Sequence, residues 1–421
     1  MNRDTFIRDV LRLGAVGATN WLAQKVSAGV ISGALDNEND HVLVLIQLIG
    51  GNDGLNTIIP INHWDQLVLH RGNVLPNKKD VIQCNNHIGF HPSAKALHDL
   101  MQQQKMCIIQ GVGYENPNRS HFRSMDIWNT ASPSNQYWTS GWLGRYLDII
   151  HPNYPTAYPN IKYPDPLVVS IGNDVAETCQ GNSHQFSYAL SSFSQLTEKI
   201  GEQHREIGEV SGNYNSLIDF LSQSAKLTNA LSGSINTLKQ KGKNYITYPN
   251  SELAAQLGMV AQLINAGAKT KVYTLTLGGF DTHAYQVDKD NSNEGNHPSL
   301  LRMLGDSLTA FLEDLKRSGN HKRVLGMVYS EFGRQIKSNK SFGTDHGDAA
   351  PVFIFGDGLK HQNIGDTPNI LEELPDQAGI NTNIDFKQVY FEILQSWFKL
   401  EQSNINKVFM AKDSLQKLQI F

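Results

Sequence analysis

Three turns in this chain gather side chains that bind divalent metal ions. Gly50-Gly51-Asn52-Asp53-Gly54-Leu55-Asn56 presents Asp53 between glycines, and Gly278-Gly279-Phe280-Asp281-Thr282-His283 presents Asp281 and His283. Ser330-Glu331-Phe332-Gly333-Arg334 is followed shortly by Gly343-Thr344-Asp345-His346-Gly347. Carboxylate oxygens neutralise a cation's charge and imidazole nitrogens bind it directionally, so Asp and His brought together from separate loops are what such a site needs. In extended backbone, residues two apart point the same way, so Asp281 and His283 could share an ion. Taken singly, each Asp has a plainer role, since Asp beside Gly commonly shapes a turn through its own backbone. Three such turns carrying two Asp/His pairs favour metal over turn chemistry.

A fourth segment, Asn118-Arg119-Ser120-His121-Phe122-Arg123-Ser124-Met125-Asp126, offers a nucleophile. Ser120 at a helix N-terminus would have amide dipoles nearby to stabilise developing negative charge, and Arg119 and Arg123 could hold an anionic substrate. His121 and Asp126 are further polar candidates beside it. The competing reading is a serine N-cap with surface arginines. The glycine-rich turns lack both the phosphate-loop lysine and the dinucleotide spacing, and neither a GxSxG elbow nor an HExxH pair occurs, which removes nucleotide-cofactor, serine-hydrolase and zincin readings.

The elements that must position these turns read as an α/β fold. His41 to Ile49 is a nearly unbroken apolar run, as a strand covered on both faces requires. A helix over His91 to Gln104 and strands over Lys105 to Gln110 and Leu167 to Ile171 follow. From Val272 the alternation is plain: strand Val272 to Leu277, helix Pro298 to Arg317, and strands Val324 to Tyr329 and Val352 to Phe355. This pattern predicts a three-layer α/β domain with a mostly parallel sheet, and ligands in open α/β sheets bind beyond the carboxyl ends of the strands, where the turns above lie. Residues 187–267, rich in Ser, Gln, Asn and Lys, are expected to form a helical insertion or cap, with periodicity over Tyr214 to Leu238 and Leu253 to Ile264. Asp385 to Phe398 reads as an amphipathic helix closing one sheet edge.

Thirty-six Lys and Arg against forty Asp and Glu leave a net charge of −4 over 421 residues, without the basic excess of a nucleic-acid binder. Cys84, Cys107 and Cys179 match no zinc spacing and do not fix a redox compartment. Apolar runs such as Val42 to Ile46 fall far short of the roughly 18 residues a membrane span needs. Residues 1–28 read as an export leader, with Arg3, Arg8 and Arg12 ahead of an apolar stretch and Val26-Ser27-Ala28 as a cleavage pattern. Residues 29–40 are then a linker, and 41–421 a single domain.

On these residues the sequence resembles the exported, sulfatase-like domain-of-unknown-function proteins of the alkaline phosphatase superfamily. The likeness runs through Gly50 to Asn56, Gln110-Gly111-Val112-Gly113-Tyr114, Arg119 to Phe122, Gly141-Trp142-Leu143-Gly144-Arg145-Tyr146-Leu147, Gly279 to His283, Ser330 to Arg334 and Gly343 to Gly347. The resemblance implies an alkaline phosphatase-like fold and one or two divalent ions (zinc, magnesium, manganese or calcium). Asp53 would bridge them, Asp281 and His283 would bind one, and Asp345 and His346 the other, with Ser120 as nucleophile. Superfamily members usually place the first pair as Asp-x-x-x-His with a further His downstream. Here the pair is Asp-x-His, and His361 or His297 is the candidate for the remaining ligand. Arg3-Asp4-Thr5-Phe6-Ile7-Arg8 resembles a twin-arginine export signal with Asp4 at the second arginine, which implies a periplasmic or otherwise exported protein. The function implied is hydrolysis of small phosphate or sulfate esters. A non-catalytic binding or scaffold protein of the same fold, and an intracellular metal-dependent mutase, are the alternatives.

Overall fold

The computed structural model describes residues 39–194, 214–411 and 415–421. The expected leader, and the linker up to residue 38, lie outside them. The strands that carry the site are β1 (Val42–Leu48), β2 (Met106–Gly113), β3 (Val168–Ile171), β4 (Ser187–Leu190), β5 (Val272–Leu277), β6 (Val324–Ser330), a hairpin of β7 (Arg334–Ser338) and β8 (Thr344–His346), and β9 (Ala350–Gly356). Two short strands, β10 (Asn363–Ile364) and β11 (Ile384–Asp385), complete the central sheet, and Ile58–Pro60, Ile82–Gln83 and Ile88–Phe90 form a separate small sheet.

The central sheet runs β10-β2-β9-β6-β1-β5-β3-β4, with β11 also on β2. β1 pairs in parallel with β5 and β6. Only β9 runs against its neighbours, antiparallel to both β2 and β6. The carboxyl ends of β1, β2, β5 and β6 and the amino end of β9 therefore share one edge.

Strand alternation divides the core. Val42, Val44, Ile46 and Leu48 of β1 join a buried cluster with α3 (Lys95–Gln102), α7 (Glu252–Asn265) and α8 (Asn296–Arg317). Leu43 and Leu45 face the opposite layer with α4 (His121–Thr130), α5 (Trp142–Ile150), α9 (Phe386–Glu392) and α10 (Gln402–Phe409). Burial on both faces explains why β1 reads as a continuous apolar run. Three layers and a mostly parallel sheet are as expected.

Two expectations change. The insertion expected from Ser187 begins instead with β4, which extends the sheet in parallel beside β3. α6 (Tyr214–Lys241) is helical, but α7 is no cap: Leu253, Leu257, Val260 and Ile264 are buried against the sheet. The C-terminal helix starts where expected, with Asp385 and Gln388 forming a reciprocal capping box. It covers a face of the sheet, not an edge, because Phe386, Val389, Phe391 and Leu394 pack on the cluster around Leu43 and Leu45.

Burial also traps histidines. Desolvation pushes His91 and His151 down to about 3 and His297 to about 4, against an ordinary value of 6.5. The unfolded chain takes up protons near pH 6.5 that the folded chain refuses until about pH 4 or below. Stability should therefore fall as pH drops from 6.5 toward 4. Urea midpoints of chelator-treated protein between pH 7.5 and 4.5 measure this, and His151→Gln should flatten the slope. A midpoint constant across that range rules the linkage out.

Candidate metal centre

The turn after β1 is built for close approach. Gly50 has φ +121, and a Cβ there would lie 2.2 Å from the Asp281 amide nitrogen, so only glycine lets the β1 and β5 turns touch. Arg334, at the start of β7, fastens the two together. Its Nε donates to Gly51 O at 2.9 Å and its Nη1 to Thr344 O at 2.7 Å. Its Nη2 donates to Gly50 O, to Phe280 O at 2.8 Å and to Asp281 Oδ1 at 2.7 Å.

Against this frame Asp281 Oδ1 faces His346 Nε2 at 3.0 Å and His283 Nε2 at 3.1 Å, and the two ring nitrogens are 2.9 Å apart. His121 Nε2 stands 3.5 Å from Asp281 Oδ2. His121, Asp281 and His346 each offer one ligand atom within 4.8 Å of the others. Metal bonds of about 2.0–2.1 Å around one ion leave ligand atoms roughly 3 Å apart, as seen here.

The other ring nitrogens decide the fit. His121 Nδ1 donates to Glu331 Oε1 at 2.8 Å, His283 Nδ1 to Asp345 Oδ1 at 2.7 Å, and His346 Nδ1 to the Arg119 carbonyl at 2.9 Å. These partners accept hydrogen bonds, so neutral rings carry their protons on Nδ1. The Nε2 lone pairs are left converging on Asp281, as in metal sites whose imidazoles are held from behind. Desolvation opposes ionisation of Asp281, but in acid, where the imidazoles are protonated on both nitrogens, hydrogen bonds from His346 and Arg334 and the charges of Arg334 and His283 outweigh it and hold the carboxyl at about 2. It therefore stays an anion wherever imidazoles are neutral.

Asp281, His283 and His346, expected as ligands, come together, and His121, expected among the catalytic groups, joins them. Asp345 does not face the same point as His346. Adjacent strand residues point to opposite sides, and Asp345 stands behind His283.

Asp53 is withdrawn from this cluster. It is buried, pairs with Arg71 of α2 (Trp64–Arg71), and its Oδ2 accepts from Gln286 at 2.6 Å. Its Oδ1 accepts from Asn56 N at 3.3 Å, capping α1 (Gly54–Thr57). Burial raises its pKa, but Arg71 above all, then His297 and Gln286, bring it below the ordinary carboxylate value. His297 lies on the Asp53 side, with Nε2 3.0 Å from Asn52 Oδ1. His361 follows β9 and so sits at the opposite edge of the sheet.

Ser120 is the N-cap residue of α4, yet its side chain makes no capping bond. Arg119 forms two hydrogen bonds to Asp348, at 2.8 and 2.7 Å. Arg123 pairs with Asp126, donates to the carbonyls of Pro133, Ser134 and Gln136, and stacks on Tyr137. Both arginines thus already have protein partners. Sequence reasoning missed the site roles of Glu331, Arg334 and Arg71. The signal for the first two was a pair of charged residues flanking Phe332 and Gly333 at the end of a buried strand, where charge is rare without a partner.

The family described as a protein of unknown function (DUF1501) matches residues 120–409. No curated protein matches the sequence. The chain is similar to the lipoteichoic acid synthase LtaP from Listeria monocytogenes, with 10% identity, 89% of this chain and 76% of that chain covered, and a TM-score of 0.39. It is also similar to the phosphoglycerol transferase GacH from Streptococcus pyogenes, in complex with sn-glycerol-1-phosphate, with 11% identity, 90% and 82% covered, and a TM-score of 0.38. A protein in the alkaline phosphatase superfamily from Vibrio parahaemolyticus matches with 10% identity, 77% and 62% covered, and a TM-score of 0.34.

Purified protein should bind a divalent ion, and Asp281→Ala or His346→Ala should lose it, measured by metal analysis after dialysis. Asp53→Asn should keep the ion. Arg71→Met, which strands a buried carboxylate, should destabilise the fold by about 3–5 kcal/mol. Metal lost in Asp53→Asn but retained in Asp281→Ala would reverse the assignment.

Proposed function

The chain belongs to the DUF1501 family, whose description assigns no activity, and we propose from its metal centre that it is an exported, metal-dependent hydrolase of phosphate or sulfate esters. The observation that carries this reading is the convergence of three imidazole Nε2 atoms on the Asp281 carboxylate, each ring held from behind through Nδ1. Asp281, His283 and His346, with His121, would hold the ion, and a bound divalent cation supplies Lewis-acid polarisation of an ester oxygen.

Ser120 adjoins the ligand His121, and its hydroxyl is not spent on the helix. The first-turn amides of α4 have no partners within the helix and carry the positive end of its dipole, which favours an anionic group there. The Ser120 oxygen would attack phosphorus or sulfur, the ester oxygen would leave as an alcohol, and water would then cleave the Ser120 ester. Thr57, the other hydroxyl beside the turn after β1, is buried with its hydroxyl donated to Asp53 O at 2.8 Å, which supports Ser120 over it as the nucleophile.

Export rests on the leader-like residues 1–28, and no helix among the described residues is long and apolar enough to cross a membrane. One observation favours the second reading, a non-catalytic metal-binding protein. Both arginines nearest Ser120 already have partners, leaving the ion and the helix amides to neutralise a substrate anion.

With zinc, manganese, magnesium or calcium supplied, the protein should turn over generic phosphate monoesters, phosphate diesters or sulfate esters. Ser120→Ala should abolish turnover and leave metal content unchanged. Turnover that survives in Ser120→Ala but disappears in His346→Ala moves the nucleophile elsewhere. No turnover by wild type with any of these ions and esters leaves the binding reading.

A further inference from the structure

We infer that Glu331 is a positioning residue that sets the tautomer of His121 and the seating of α4 at the metal centre, an inference that rests on the metal reading above. Glu331 has no side-chain exposure. Its Oε1 receives the Gly50 N–H at 2.8 Å, a donor that leaves it no role but acceptor. The same oxygen receives His121 Nδ1 at 2.8 Å, so His121 carries its proton there and turns an unprotonated Nε2 toward Asp281.

The three histidines are not held equally. Asp345, behind His283, is 51% exposed, where water competes for it. His346 rests on a main-chain carbonyl, which carries no net charge. Only His121 is backed by a buried carboxyl group, where low dielectric strengthens the interaction and makes the imidazole a better electron donor.

The backbone of Glu331 serves the same end. Its carbonyl accepts from Ser124 Oγ at 2.5 Å and from Trp128 Nε1 at 2.9 Å. His121, Ser124 and Trp128 are spaced i, i+3 and i+7, one face of α4, so a single residue grips that helix at three successive turns. Ser120, one residue ahead of the first grip, is carried to the metal centre by it.

The test is metal affinity and the visible spectrum of the cobalt(II) form, for wild type, Glu331→Gln, His121→Ala and the double variant. The Gln amide can present an N–H to Nδ1 and so draw the His121 proton to Nε2. Glu331→Gln should weaken zinc and cobalt binding about 10–100-fold and alter the cobalt spectrum, with a much smaller loss in the His121→Ala background, where only its charge is missed. Nitrogen-15 NMR of wild-type His121 should show the Nδ1–H tautomer, a measurement that stands even if the variants fold poorly. Wild-type affinity and spectrum in Glu331→Gln, an additive loss in the double variant, or an Nε2–H tautomer in wild type each overturns the inference alone. A wild type that binds neither zinc nor cobalt overturns the metal reading and the inference with it.

Discussion

The Arg334 guanidinium holds the site together. It lies buried where the turns after β1 and β5 meet the β7–β8 hairpin, and it donates to Gly50, Gly51, Phe280, Thr344 and Asp281. The Gly50 and Gly51 carbonyls belong to a turn that leaves the sheet ladder, and without the arginine they would be acceptors lacking partners among the described residues. A planar fork of five N–H groups reaches these and the other acceptors from one point. A lysine has three donors on a point charge and could not. Glycine at position 50 is the complementary constraint, since any Cβ there would push the Asp281 backbone away from its place among the histidines.

Two Asp–Arg pairs lie close in this fold and have opposite consequences. Asp53 and Arg71 are both buried, and Gln286 and Asn56 take up the remaining carboxylate positions, while Arg71 Nε and Nη1 have no hydrogen-bond partner among the described residues. Asp281 is 48% exposed and meets Arg334 through one oxygen, keeping the other toward His121. An arginine beside a cation site repels the ion, by roughly 4 kcal/mol for unit charges 4 Å apart near a protein surface. Around Asp281 that repulsion is offset by Asp345 and Glu331, each one imidazole away. Three carboxyl groups against one guanidinium give a formal charge of −2, which suits a divalent ion; at Asp53 one carboxylate against one guanidinium leaves nothing to attract it.

The strands were legible because burial on both faces forces continuous apolar sequence, and β1, β5 and β6 begin or end within a residue of their apolar runs. β4 was not, since Ser187-Tyr188-Ala189-Leu190 is short, partly exposed and set in polar surroundings. The antiparallel course of β9 was equally hidden, because an apolar run carries no direction. At the site, Asp281 and His283 followed from a spacing of two, and the same alternation separates Asp345 from His346. What the sequence could not show is which distant residue would claim each charge. Asp53 reads as an open ligand until Arg71 folds onto it, and Arg119 reads as a substrate anchor until Asp348 meets it.

The exposure of the centre limits the chemistry it can perform. Asp281, His283 and Asp345 are each about half exposed, and the cavity of about 650 Å³ between α3, α8 and residues 246–249 contains none of them. An open rim gives no low-dielectric chamber to strengthen hydrogen bonds to a developing charge, so stabilisation must come from groups whose position is fixed beforehand. That places the demand on rigidity: β1, β5 and β6 fixed by the sheet, Arg334 locking their turns, and α4 gripped along one face by Glu331. On the proposed reading, a substrate reaching such a rim needs only to present its anionic group there, so the remainder of the molecule can stay in solvent. Selectivity then belongs to the surface around the ligands, where Phe122 and Tyr285 stand exposed beside His121 and two residues beyond His283.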